Sequence, residues 1–408
     1  MHLDGGFNIA FIHPDLGIGG AERLVVDAAL AFKKRNHHVR IYTSHHDGNH
    51  CFRETQNGDL EIIAVGDWLP RHLLGRCYAL CAYIRMIYVA IYLAFFSAYQ
   101  YDVIFCDQIS ACIPIFRYCS RPCKVIFYCH YPDQLLTQRK SFLKSMYRAP
   151  IDWFEERTTG QADCVLVNSK FTASVYLKTF TTLQYHPPTV LYPSVNFQAF
   201  TPPSNSSVEL ILPKAKIMFL SINRYEKKKN LALALHALID LRDRITSEQW
   251  SNVHLIMAGG YDDRVQENRV YYEELQLIAQ RNDLTDQVTF KKSISDTEKM
   301  LLLGSCTCLL YTPTNEHFGI VPIEAMYMNR PVIACNSGGP LETIKYQVTG
   351  LWCDPEAKAF ADAMKVFVDH PKLAKVYGDA GRKHVMSKFS FDHFADELNR
   401  IVCNLVED

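Results

Sequence analysis

Residues Asn8 to Thr43 read NIAFIHPDLGIGGAERLVVDAALAFKKRNHHVRIYT, and this stretch decides the fold. Asn8 to His13 is an apolar run of strand length. Gly17-Ile18-Gly19-Gly20 follows as a tight loop. From Ala21 to Asn36 the apolar residues Leu24, Val25, Ala28 and Ala29 recur at helical spacing. Lys33, Lys34 and Arg35 occupy the last turn, where the helix dipole favours cations. Val39 to Thr43 is again a strand. Strand, helix and strand in this order make a β-α-β unit and predict a parallel sheet.

Working outward, the alternation continues. Strands are expected at 102–106, 124–129 and 163–167. A second series is expected at 217–221, 253–258, 288–290, 308–311 and 332–335, with helices between. Pro202, Pro203, Pro213 and the polar run Ser204 to Ser207 break the rhythm. The expected organisation is therefore α/β, with two Rossmann-like doubly wound domains facing across a cleft. The first domain is placed at 1–195, a linker at 196–213 and the second domain at 214–389. A C-terminal helix at 390–408 is expected to return to the first domain. Ligands of such sheets bind at the carboxyl ends of the strands.

The composition fits this reading. The 408 residues are 48% hydrophobic, enough for two cores. Lys+Arg and Asp+Glu number 43 each, so the basic surface a nucleic-acid partner would need is not expected. The 14 cysteines form no C-x-x-C pair and read as free thiols of a reducing compartment. The first residues have neither the basic region nor the apolar core of a signal peptide. Asn205-Ser206-Ser207 spells a glycosylation sequon but is read as loop.

The chemistry-bearing motifs sit at the expected strand tips. In the first domain, Gly19 and Gly20 let a phosphate or acceptor approach the backbone at a helix N-terminus. The loop is not G-x-G-x-x-G, and the second strand ends Tyr42-Thr43-Ser44-His45 without an acid, which argues against a nicotinamide dehydrogenase. In the second domain, Arg224 and Lys229 follow the strand 217–221. Arg224 can grip a diphosphate bidentately and Lys229 as a point charge, whereas Lys227 and Lys228 suit a solvated surface. Gly259 and Gly260 leave room at the next tip. Glu316-His317-Phe318-Gly319-Ile320-Val321-Pro322-Ile323-Glu324 is the most specific element. The N–H groups of Gly319 to Val321 would face a sugar phosphate, and Glu316 and Glu324 would accept from sugar or ribose hydroxyls.

Glu316-x7-Glu324, with His317-Phe318-Gly319, resembles the E-x7-E element of retaining GT-B glycosyltransferases. Arg224 and Lys229 resemble that family's R-x4-K pair, and Gly19-Gly20-Ala21-Glu22 its first-domain glycine loop. Four longer stretches, 13–23, 106–112, 147–153 and 314–320, resemble the mannosyltransferases of dolichol-linked oligosaccharide assembly, which add both α1,3- and α1,6-linked mannose.

The resemblance implies GDP-mannose as donor, Man1GlcNAc2-diphosphodolichol as acceptor and retention of configuration. It places Glu316 on the donor mannose and Glu324 on the GDP ribose, and it matches His130 in Phe127-Tyr-Cys-His-Tyr-Pro132 to a histidine that orients the donor sugar. Glu316, His130, Arg224 and Lys229 are then the catalytic set. Gly19, Gly20, Arg224, Lys229, Gly259, Gly260, His317, Phe318, Gly319, Ile320, Val321 and Glu324 are the expected donor contacts. The sequence has no D-x-D, so no metal or other cofactor is expected. The alternatives are another GT-B transferase, a nucleotide-sugar hydrolase or epimerase, and a non-catalytic sugar-nucleotide or lipid binder.

One segment bears on location. Cys77 to Tyr99 is apolar nearly all round, with Arg85 its only charge. Its uncharged part, Met86 to Tyr99, is shorter than the ~18–20 residues of a spanning helix. It is expected to be the crossover helix before the strand at 102–106 and to lie in the membrane plane, with Tyr78, Tyr83, Tyr88, Tyr92 and Tyr99 at the interface. A buried core helix is the alternative. Ile87, Ile91, Leu93 and Phe95 are the expected lipid-facing residues, and Arg139, Lys140, Lys144 and Arg148 the headgroup contacts. The resemblance implies the cytosolic face of the endoplasmic reticulum membrane, with membrane lipid and other enzymes of the same pathway as partners.

Overall fold

The computed structural model describes residues 6–73, 75, 77–118, 122–137, 142–195, 197 and 212–407. Most of the expected linker, the Asn205 sequon, Arg139 and Lys140 lie outside the described residues.

The chain divides into two units, one running to Ser194 and resuming at Phe391, the other spanning Val195–Ser390. In the first unit the described strands are β1 (Asn8–His13), β2 (His38–Thr43), β3 (Glu61–Ala64), β4 (Val103–Asp107), β5 (Lys124–Cys129), β6 (Cys164–Val167) and β7 (Thr189–Val190). They pair in the order β3-β2-β1-β4-β5-β6-β7, and every pairing is parallel. β1 is buried almost throughout because helices cover both faces of the sheet, which is why it reads as an unbroken apolar run. The helix Gly20–Lys34 buries Leu24, Val25, Ala28 and Phe32 against it. The helix Phe391–Glu407 packs Phe394, Leu398 and Val402 into the same core as Ile9, Phe11 and Phe105. Lys34 Nζ also donates to Asp392 Oδ1 at 2.5 Å.

The second unit contains β8 (Ile217–Ile222), β9 (Val253–Gly259), β10 (Val288–Lys292), β11 (Cys308–Tyr311), β12 (Val332–Cys335) and β13 (Gly350–Cys353). Their order, β10-β9-β8-β11-β12-β13, repeats the scheme of the first sheet. In both, the strand order reverses beside the first strand, between β1 and β4 and between β8 and β11. Such a reversal opens a crevice at the carboxyl ends of the two strands.

Expected and observed strands differ mainly at their ends and edges. β4 runs one residue further than expected and so includes Asp107, and β9 includes Gly259. β3, β7 and β13 were not expected; β7 has two residues, and β3 is a four-residue edge strand half open to solvent, too short for periodicity to mark.

Candidate active site

The second-unit motifs converge at the reversal between β8 and β11. Beyond β8, Lys227–Lys229 form a single turn, and Thr312 Oγ1 donates to the Lys229 carbonyl at 2.8 Å, tying it to the end of β11. Lys229 Nζ donates to Glu316 Oε2 at 2.5 Å. Glu316 is held in turn by its carbonyl, which accepts from Gly339 N–H at 2.7 Å. The diphosphate cation and the sugar carboxylate expected from sequence are thus direct partners. Arg224 is mostly exposed and pairs with Glu226 at 3.0 Å. Lys227 and Lys228 lie on the surface, pairing with Glu274 and Glu226.

Glycine is required at two points of this rim. Gly259 has φ +147°, and a Cβ there would stand 1.9 Å from the Asn223 carbonyl oxygen, so only glycine lets the tips of β8 and β9 meet. Gly319 has φ +81° and precedes the helix Ile320–Tyr327. Its left-handed turn brings the first-turn N–H groups of Ile320 and Val321 to the end of the helix, where they lack intrahelical acceptors. Gly260 lies beneath the Arg224 stem. His317 is half-buried. The Phe318 ring is buried against Phe389, 5.8 Å between centroids, so any ligand contact at this residue falls to its backbone.

Glu324 lies within that helix and is buried. Burial pushes its pKa up, and Lys299, 2.5 Å from Oε2 and 2.6 Å from Oε1, opposes the rise. Lys299 is a residue that sequence reasoning misses. It sits on the helix Asp296–Ser305, far from Glu324 in the chain, and no local motif announces it.

In the first unit, Gly19 and Gly20 open the helix Gly20–Lys34, with Glu22 in its first turn. His130 lies just beyond β5, and its Nε2 donates to Asp107 Oδ2 at 3.0 Å. Asp107 Oδ1 is 2.8 Å from Nδ1 of His13. In the sequence, Asp107 and His13 stand out only as members of the longer stretches 106–112 and 13–23. Their position at the tips of adjacent strands was the available signal. Among the described residues, no group of three or more His, Cys, Asp or Glu side chains is placed to hold a metal ion.

The helix Tyr78–Phe96 is long and apolar enough to cross a membrane by length and composition. One face packs into the core through Cys81, Tyr83, Met86, Val89, Ala90 and Leu93. Arg85 is buried and pairs with Asp15 at 3.2 Å. Tyr78, Leu80, Ile84, Ile91, Phe95 and Phe96 are exposed. The expected lipid face is therefore corrected: Leu93 is buried and Ile87 packs against the core. Arg148 is corrected too. It is 1% exposed and pairs with Asp133 at 2.8 Å and Asp152 at 2.9 Å, so it cannot reach headgroups. Lys144 remains exposed.

This architecture matches known glycosyltransferases. The "Glycosyltransferase Family 4" model fits residues 18–198, and the "Glycosyl transferases group 1" model fits 205–384. The chain is 54% identical to the human "Alpha-1,3/1,6-mannosyltransferase ALG2", over 98% of this chain and 96% of that one. It is 46% identical to the protein of the same name from Dictyostelium discoideum, over 98% of both. The chain belongs to the alpha-1,3/1,6-mannosyltransferase family. A sucrose-phosphate synthase from Thermosynechococcus elongatus shares the fold, with a TM-score of 0.75 at 21% identity, covering 98% of this chain and 99% of that one. Two parallel-sheet Rossmann-like domains place this mannosyltransferase in the GT-B class.

Proposed function

We propose that the protein transfers mannose from GDP-mannose to Man1GlcNAc2-diphosphodolichol, making α1,3 and α1,6 linkages, at the cytosolic face of the endoplasmic reticulum membrane. Full-length identity of 54% to a relative of that named activity supports the reaction. The observation that carries the site is the Lys229–Glu316 pair at the reversal between β8 and β11. A hydrolase, an epimerase or a non-catalytic binder is not favoured by this likeness.

In the proposed reaction, Arg224, Lys229 and the helix N-terminus at Ile320 and Val321 stabilise the charge that develops on the departing diphosphate. Glu316 accepts from hydroxyls of the mannose, and Glu324 from those of the ribose. His130 orients the donor sugar. The leaving phosphate takes the proton of the attacking acceptor hydroxyl. GDP-mannose is an α-glycoside and the product is α-linked, so configuration is retained. No metal takes part in this scheme. The exposed face of the helix Tyr78–Phe96 holds the protein to the membrane, and other enzymes of the same pathway are its proposed neighbours there.

Incubation with GDP-mannose and a synthetic Man1GlcNAc2-diphosphate lipid, followed by linkage analysis, tests the proposal. Both α1,3 and α1,6 products are expected. Release of free mannose without acceptor extension would indicate a hydrolase instead.

A further inference from the structure

Three strand tips of the first sheet meet at one carboxylate. Asp107 closes β4 and is buried. Its Oδ1 is 2.8 Å from Nδ1 of His13, which closes β1, and its Oδ2 is 3.0 Å from Nε2 of His130, just beyond β5. β1 and β4 flank the reversal in strand order, where sheets of this kind take ligands.

The proton positions follow from the acceptors. An ionised carboxylate only accepts, so His13 Nδ1 and His130 Nε2 both carry hydrogen. The other His13 nitrogen, Nε2, meets the Asp15 carbonyl oxygen at 3.0 Å and Glu22 Oε1 at 3.8 Å, so it carries hydrogen as well. His13 is therefore an imidazolium. Burial opposes its charge, but the Asp107 carboxylate, with Glu22 behind it, outweighs burial and lifts its pKa to about 10. Burial likewise opposes ionisation of Asp107, and His13 and then His130 hold its carboxyl below its usual value. Oδ2 accepts from His130 Nε2–H, which keeps that ring's proton on Nε2 and turns Nδ1 away from the carboxylate.

His130 is also fixed as a whole. Asn168 Nδ2 donates to its carbonyl at 3.1 Å, and its ring lies 4.8 Å from the Tyr128 ring. The side chain keeps 22% of its surface exposed, and among the described residues Nδ1 has no partner. We propose that Asp107 is a positioning residue for mannosyl transfer: its Oδ2 holds His130 as the neutral Nε2–H tautomer, so that Nδ1 offers a lone pair to a hydroxyl of the donor sugar. A phosphate oxygen would need a hydrogen-bond donor here; a sugar hydroxyl needs only an acceptor. The proposal rests on the assignment of His130 to the donor sugar.

Nitrogen-15 NMR of the histidine-labelled protein tests it directly, with the resonances lost in His130→Ala and His13→Gln assigning the two rings. At neutral pH, His130 is expected as Nε2–H with a bare Nδ1, and His13 with both nitrogens protonated. In Asp107→Asn the amide oxygen still accepts from His13, while the amide N–H faces His130 Nε2 and forces its proton to Nδ1. That variant is expected to lose kcat on the order of 100-fold, the scale of losing one hydrogen bond to the transition state, with KM for GDP-mannose changed less than about threefold and the His130 signals reversed. A wild-type His130 found as Nδ1–H or as a cation would overturn the proposal, and that measurement stands even if Asp107→Asn does not fold. So would a folded Asp107→Asn that transfers at the wild-type rate while His130→Ala is inactive. Wild-type transfer by His130→Ala would remove the histidine from the reaction and the positioning role with it, whatever its tautomer.

Discussion

Lys229 and Glu316 are joined at 2.5 Å between Nζ and Oε2, with both side chains only partly exposed. The cation assigned to the diphosphate and the carboxylate assigned to the sugar therefore neutralise one another directly, and removing either one frees the other. Their opposite assignments predict opposite effects on GDP, which has a diphosphate but no mannose. Glu316→Ala should lose transfer by about 100-fold or more, the scale of losing one transition-state contact, while GDP binds as tightly as before or more tightly. Lys229→Ala should weaken GDP about tenfold or more, ~1.4 kcal/mol at least, with the remaining affinity less sensitive to salt. Calorimetric titration with GDP decides both. Equal losses of GDP affinity in the two variants would sink the division of labour.

The Lys299–Glu324 pair is a stability device as well as part of the candidate site. Glu324 is buried and its carboxylate would be left alone without Lys299. Breaking a fully buried pair costs ~3–5 kcal/mol. Lys299 keeps some solvent contact, so Lys299→Met should cost less, about 2 kcal/mol. Adding Glu324→Gln should restore most of that loss. Urea unfolding of the single and double variants measures it, and additive losses would show that the charges do not interact.

A second buried carboxylate predicts a pH dependence. Glu155 accepts from the N–H groups of Asp133 and Gln134 at 2.7 and 3.1 Å, yet burial lifts its pKa from 4.5 to about 7. Between these values the folded protein holds a proton that the unfolded chain has released, so stability falls as pH rises through this window. Above about pH 7 the cost is complete, on the order of 3 kcal/mol. Glu155→Gln should therefore gain stability relative to wild type between pH 5 and pH 8. A difference that stays constant across this range would remove Glu155 as its source.

Much of this was legible in the chain, for physical reasons that also mark where reading stopped. β1, β5, β11 and β12 were expected with their observed limits, because strands covered on both faces are apolar without interruption. Arg224, Lys229, Glu316 and Glu324 could be named because each follows a strand within a short motif. Lys299 and Asp107 could not be given roles, since each acts on a residue far away in the chain. The burial of Leu93 and Arg148 was equally hidden. A helix apolar nearly all round carries no mark of which face meets the sheet, and a buried arginine reads as an exposed one until its carboxylate partners are known.

Metal dependence has a simple check. If Arg224, Lys229 and the helix N-terminus carry the diphosphate charge, transfer should continue in excess EDTA at close to its full rate. Complete loss, restored by Mg²⁺ or Mn²⁺, would mean that a cation shares that charge.

Membrane attachment gives the last prediction. Ile84, Ile91 and Phe95 are 46%, 37% and 59% exposed on the helix Tyr78–Phe96, whereas Met86, Val89, Ala90 and Leu93 fill the core. Spanning the bilayer would take those core residues from the sheet and break the Arg85–Asp15 contact at 3.2 Å. Lying in the plane leaves both intact and buries only the exposed face. Each CH₂ inserted is worth about 0.8 kcal/mol, so changing Ile84, Ile91 and Phe95 together to serine should reduce membrane partition by tenfold or more without unfolding the protein. Leu93→Ser should instead cost stability, because it places a hydroxyl in the core. Flotation with liposomes, alongside thermal unfolding, separates these effects. Full retention on membranes by a folded triple variant would move the anchor to another part of the chain.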